Sequence, residues 1–315
     1  MTWVAWRQQR PSTVAAVAVL AVAGSVLLAS GWQMTSFAHD SGLAACVASS
    51  GDCRLLAEAF ANRYRPLLEP VSLLGSLLPV VLGLLFGGPL LAREFEQGTQ
   101  RLAWTQSVTR SRWLGVRLAV AAGVLAVVAA VAALLLTWWW GRFDQLQISS
   151  RAALERGSLV PVAAALLAFS IAAATGAFTR RVVPALAAGL VAVLVVTIAL
   201  NLAAQTWLPP RPLTITYPAG QPSPRAGLND QVLSSGYRDR TGRGLSAQAV
   251  DRLCPGTAGG QQAVDRCLAT NGIQRVDRYQ PASRAWQRAL TQSALYLTAA
   301  ALFLALVWWR TLRPD

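Results

Sequence analysis

The chain of 315 residues is predicted to be an all-α integral membrane protein with six transmembrane helices. Three observations lead there. Apolar residues make up 54% of the chain and charged residues only 13%, about half the roughly 25% usual in soluble domains. Six long apolar runs reach the roughly 20 residues that cross a bilayer core of about 30 Å. Trp and Arg gather at the ends of those runs, as they do at headgroup depth.

The elements follow in order. Residues 1–10, MTWVAWRQQR, set Trp3, Val4 and Trp6 among polar groups before Arg7 and Arg10, and read as an interfacial helix lying on the membrane. Pro11 suits the first turn of the helix that follows. Residues 11–205 hold the first five spans, the first at about 12–37. A basic start before an apolar run also fits a signal peptide, but this run continues too far, so a retained span is the better reading. A first loop to Pro66 carries Cys46 and Cys53. The second span, about 67–92, has Gly83 and Gly87 in G-x-x-x-G spacing, a weak sign of close helix approach. Pro79 and Pro89 are expected to kink it. The third span, about 114–140, ends in Trp138, Trp139 and Trp140, read as an interfacial anchor. The fourth, about 159–178, turns tightly through Arg180 and Arg181 into the fifth, about 182–204. A long polar region, 206–288, precedes the sixth span at 289–309 and a short tail, 310–315.

Short-loop arginines set the orientation. Arg7, Arg10, Arg93, Arg101, Arg110, Arg112, Arg117, Arg180, Arg181, Arg310 and Arg313 collect on one side of a six-span protein. The other side offsets its arginines with Asp40, Asp52, Glu58, Glu69, Asp144 and Glu155. Both termini and the 93–113 segment are therefore expected in the cytoplasm, and 206–288 outside the cell membrane. All four cysteines then fall in outer loops. Pairing of Cys46 with Cys53 and of Cys254 with Cys267 is favoured in an oxidising compartment; pairing between the loops stays open.

The segment from Arg93 to Trp113, REFEQGTQRLAWTQSVTRSRW, stands apart. Gly98 suits a helix stop and Thr99 a new N-cap. A short helix over 100–106 would present Leu102 and Trp104 beside Arg101, with Arg110 and Arg112 opening the next helix. Glu94 and Glu96 are two apart, so they point to different faces of a helix and do not form an acid/base pair.

Several chemistries are excluded. The net charge is +14, but the arginines flank spans, which fits topology and lipid headgroups rather than nucleic acid. The chain has no Lys, so it holds neither a P-loop nor a Schiff base; an ATP-driven process would need the ATP and its magnesium on another chain. The span middles lack Asp, Glu, Arg and His, which argues against an ion-coupled transporter. One His, His39, and cysteines without C-x-x-C spacing leave little for a metal or a Ser–His pair. No cofactor and no enzyme activity are expected.

The residues Arg93-Glu94-Phe95-Glu96, Gly98-Thr99, Leu102-Ala103-Trp104-Thr105-Gln106 and Arg110-Ser111-Arg112-Trp113 resemble those of ABC-2 type transporter permeases, in particular the actinobacterial ones. The opening Thr2 to Arg10 and the stretch Tyr279 to Arg284 are similar as well. The resemblance implies a permease dimer with two cytoplasmic ABC ATPases, and a coupling helix between spans two and three. Carried onto this chain, Glu94 and Glu96 would engage groups near the junction and Gly98-Thr99 would set the bend. Leu102 and Trp104 would then dock in the ATPase. The implied activity is export. The departures are the absence of the Lys that often begins the third span, near Arg117, and a larger fifth loop. The rival reading is a membrane-anchored sensor whose outer loop binds a ligand.

Overall fold

The computed structural model describes residues 2–49, 53–97, 109–145, 159–207, 211–215, 231–254, 260–280 and 284–313. It divides into two compact units. The first holds the apolar helices: α1 (Thr2–Asp40), α2 (Leu43–Ala48), α3 (Arg54–Gln97), α4 (Arg110–Gln145), α5 (Val160–Thr179), α6 (Val182–Trp207) and, after the second unit, α9 (Ala285–Leu312). Six of these are long and apolar enough to cross a membrane, and the chain is a multi-pass membrane protein.

The helices are held by three apolar clusters. One, at the end of the bundle where α3 finishes, joins Leu90, Leu91, Leu114, Leu118, Ala177 and Val307. A second sits at the opposite end and is aromatic. Phe60, Trp139, Trp140 and Phe143 pack there with Met34 and Leu43, with ring centroids 5.1 to 5.8 Å apart along the chain of contacts from Phe60 to Trp139. The third fixes α5 against α6 and α9 through Leu167, Ile171, Val193 and Tyr296. Glycine sets the tightest approach. A Cβ on Gly83 would stand 2.5 Å from the Ala165 carbonyl oxygen and 2.6 Å from the Ala168 Cβ, and one on Gly87 would run into the Phe169 carbonyl. The G-x-x-x-G spacing is thus the seam between α3 and α5.

The structure moves several expected boundaries. Helix α1 continues through Pro11, so residues 2–10 are helical without a break before the first span. The expected loop before residue 67 is mostly helix: α2 forms after the positive-φ Gly42, and α3 begins at Arg54. At 44 residues, α3 is roughly 66 Å long, about twice the hydrocarbon core. Its start, with Glu58, Arg63, Arg65 and Glu69, therefore extends beyond the apolar layer. Four prolines, Pro66, Pro70, Pro79 and Pro89, lie inside it without ending it. Trp139 and Trp140 are not an interfacial anchor. Both are buried, and Trp139 donates its indole N–H to the Ser30 hydroxyl at 3.0 Å. Trp138 instead lies beneath the Arg142 guanidinium, 4.6 Å from its ring centre. Cys46 pairs with Cys53, and Cys254 with Cys267.

The second unit departs from the all-helical expectation, which holds for the spans. It carries an antiparallel four-stranded sheet in the order β1-β4-β2-β3, made of β1 (Arg211–Ile215), β2 (Gln231–Arg238), β3 (Gly244–Leu245) and β4 (Gln274–Gln280). Leu213 pairs with Asp277 across β1 and β4, and Asp277 with Ser235 across β4 and β2. Two helices, α7 (Ala247–Leu253) and α8 (Gly260–Thr270), bury Val250, Leu268 and Ile273 around the Cys254–Cys267 bridge. Ser246 caps α7 by accepting the Ala249 N–H. Asp277 is buried and meets the Arg275 guanidinium at 2.8 Å.

Candidate functional site

The charged end of α3 is the most constrained polar feature of the helical unit. α3 is described to Gln97. Its last five residues, Arg93 to Gln97, follow the buried Leu91 and Ala92, so the helix passes within one turn from core to polar groups. Successive helical residues are about 100° apart, and the side chains of Glu94, Phe95 and Glu96 accordingly reach three places.

Glu94 turns inward. Its Oε1 accepts from Arg117 Nη2 at 2.7 Å, and the two side chains are 15% and 9% exposed. Arg117 stands in the second turn of α4, next to the buried Leu118 and one turn from Leu114. Its guanidinium also lies 5.0 Å from the Trp113 ring centre. The contact is charge-assisted and stacked, which suits guanidinium. An arginine this deep in an apolar helix needs a counter-charge, and Glu94 supplies it.

Phe95 packs against the apolar core and receives the Arg180 guanidinium at 5.8 Å from its ring centre. Arg180 is the C-cap of α5, with φ 55 and its N–H bonded to the Gly176 carbonyl. A left-handed conformation at a non-glycine residue costs about 1–2 kcal/mol, which the turn between α5 and α6 carries. Thr175 steadies this turn by donating to the Ala172 and Ala185 carbonyls at 3.0 Å.

Glu96 points outward, and its Oε2 accepts from the Val182 backbone N–H at 3.2 Å. Val182 is the first residue of α6. A carboxylate at that position satisfies an otherwise unpaired amide and meets the positive end of the helix dipole. Three consecutive residues of α3 thus fasten it to α4, to the α5–α6 turn and to the start of α6.

Of the residues singled out in the sequence, Gly98, Thr99, Arg101, Leu102 and Trp104 lie outside the described residues. Arg93, Arg110 and Arg112 are exposed at the same end of the bundle. Glu94 and Glu96 are both engaged within the chain. The sequence reading missed Arg117 as the partner of Glu94. The signal was there in part, as a single cation within the apolar stretch 113–140, but the pair joins residues 23 apart on two helices.

A second polar group joins α6 to α9 at the opposite end of the bundle. Gln292 donates to the Asn201 side-chain oxygen at 2.9 Å and to the Tyr296 hydroxyl at 3.1 Å, and Tyr296 donates to Asn201 at 3.3 Å. Among the described residues no group of three His, Cys, Asp or Glu is placed to hold a metal.

The family described as ABC-2 membrane transporter related matches residues 17–205, more than half of the 315-residue chain, running from within the first span to the end of the fifth and including the end of α3. Neither the curated proteins nor the solved structures contain a match.

Proposed function

The chain belongs to the ABC-2 membrane transporter related family, and on that premise we propose that it is the transmembrane permease subunit of an ATP-driven exporter. The ATPase is a separate cytoplasmic chain, since no Lys is available for a phosphate-binding loop in this one. Both termini face the cytoplasm, the protein sits in the cell membrane, and two permease subunits pair to enclose the path. The segment 93–113 is the coupling element, with Leu102 and Trp104 as apolar anchors and Arg101 beside them. Arg93, Arg110 and Arg112 form its charged rim. Glu94 and Glu96 serve it from inside the permease rather than by touching the ATPase.

The observation that carries this reading is the fastening of α3 at the entry to that segment to three further helices. A push received there reaches spans two to five together. By fold-level analogy, spans without charged groups at their middles suit an amphiphilic or apolar cargo such as a lipid, a hydrophobic drug or a peptide. The test is affinity purification of tagged full-length chain from its own membranes, followed by an ATP-hydrolysis assay on the eluate. The wild type is expected to bring down an ABC ATPase, and a Leu102→Ala, Trp104→Ala variant that still inserts is expected to lose it. An eluate without ATPase from the wild type would instead favour a membrane-anchored sensor with the 206–288 region as its receptor part.

A further inference from the structure

We infer that Glu94 and Glu96 form a forked clasp that divides the motion of the coupling segment between two spans, Glu94 driving α4 through Arg117 and Glu96 driving α6 through the Val182 amide. The inference rests on the permease reading above and deepens it by assigning positioning roles to residues that do not contact the partner ATPase.

The geometry distinguishes the two prongs. The Glu94–Arg117 contact is 2.7 Å long and largely buried. With little water to screen it, it resists both stretching and sliding. The Glu96 contact is exposed at 3.2 Å and is made to a backbone amide at a helix start. It pulls on the backbone of α6 rather than on a side chain, so it moves the helix end as a unit. Between the prongs, Phe95 and Arg180 join the α5–α6 turn to the same helix end.

The apolar packing shows what the prongs add. α3 is already locked to α5 along the Gly83 and Gly87 seam, and Gly176 of α5 closes on the Gly88 carbonyl. Those two helices move together without polar help. α6 meets this pair through Leu186 beside Gly88 and Gly189 beside Leu84, and α4 through Leu114 and Leu118 beside Leu90 and Leu91. Gly115 and Gly123 of α4 meet no α3 atom at Cβ contact range, so these contacts are made by side chains, and the links from Glu94 and Glu96 add directional polar ties at the N-terminal turns of α4 and α6. Helices held to one rigid pair by two separate links can be displaced by different amounts, as a two-state rearrangement of a packed bundle requires.

The experiment uses the full permease–ATPase complex in lipid nanodiscs. Hydrogen exchange is followed by mass spectrometry with and without a non-hydrolysable ATP analogue and Mg²⁺. In the wild type, nucleotide is expected to change protection in the first turns of both α4 and α6. Glu96→Ala removes an exposed side chain and leaves the fold intact; it is expected to abolish the α6 response and keep that of α4. Glu94→Gln is expected to abolish the α4 response, and the exchanged pair Glu94→Arg with Arg117→Glu to restore it. The copurified ATPase is expected to remain bound in each variant. An α6 response unchanged in Glu96→Ala, with ATPase bound, overturns the clasp and leaves the permease reading standing. Loss of ATPase binding in Glu96→Ala also overturns it, because the residue would then be a docking contact. A wild type that binds no ATPase sinks the permease reading, and the clasp with it.

Discussion

Replacing Gly87 by Ala tests how closely α3 and α5 are packed, because the outcome is opposite to the ordinary effect of that substitution. In an open stretch of helix Gly→Ala stabilises by roughly 0.5–1 kcal/mol through backbone entropy. At Gly87 the added Cβ would run into the Phe169 carbonyl oxygen and stand 2.9 Å from the Ala172 Cβ. Ordinary contact needs about 3.5–4.0 Å, so the helices must separate by most of an ångström. The neighbouring contacts of Gly83 with Ala165 and Ala168, and of Gly176 with the Gly88 carbonyl, would open with them. Overpacking of this kind costs about 1–3 kcal/mol. At roughly 1.5 °C per kcal/mol for a chain of this size, the unfolding temperature in detergent is expected to fall by about 1.5–4.5 °C. The control is Gly123→Ala on α4, where an added Cβ meets nothing within 4 Å; it is expected to be neutral or slightly stabilising. Intrinsic fluorescence against temperature reads both. A Gly87→Ala protein as stable as the Gly123→Ala protein would refute the close α3–α5 seam.

Three further outcomes follow from the geometry. Cys254 and Cys267 close a loop with a sequence separation of 13, which in the chain-entropy model is worth about 3 kcal/mol. Their joint replacement by Ser should lower the melting of the sheet-bearing unit, and thiol labelling of the wild-type chain should require prior reduction. Asn201→Leu and Tyr296→Phe each break the α6–α9 hydrogen-bond group; a double-mutant cycle on unfolding is expected to give a coupling near 0.6–1.7 kcal/mol, the range for such bonds in membranes, and zero coupling would contradict the assignment. Asp239 is held below the usual carboxylate range, chiefly by the Thr241 hydroxyl and then by the Arg243 N–H. The folded value lies below the unfolded one, so the turn gains its stability above the ordinary aspartate value and loses it as pH falls through the depressed value. Amide shifts of Thr241 and Arg243 should report that low midpoint, and a midpoint at or above the ordinary value would contradict it.

Much of the membrane architecture was legible because one signal dominates it. The apolar runs of spans one to six are long, and runs of about 20 apolar residues satisfy their backbone in lipid as helices. The cysteine pairs were legible from spacing and compartment. The start of α3 was not. Residues 54–66 carry Arg and Glu, so they read as a loop, although the helix simply extends past the apolar layer. Trp139 and Trp140 read as an anchor because three adjacent tryptophans commonly mark an interface; their burial depends on Met34, Leu43 and Phe60 arriving from elsewhere in the sequence. The sheet was missed because its strands are short and polar on one face, with Ser234, Gly236 and Arg238 exposed along β2. At the candidate site the divergence of Glu94 and Glu96 was legible from helical spacing, but their partners were not. Arg117 and Val182 come from two other helices, and no local pattern encodes which carboxylate each one meets.

The most direct test of the central claim is crosslinking from inside the coupling segment. A photoreactive phenylalanine analogue would replace Trp104 in the full-length chain, and the same analogue would replace Trp286, which is exposed at the start of α9 at the opposite end of the bundle. After illumination of native membranes, the 104 position is predicted to trap an ABC ATPase and the 286 position is predicted to trap none. Capture of lipid alone from position 104, or equal capture of the ATPase from both positions, would contradict the account.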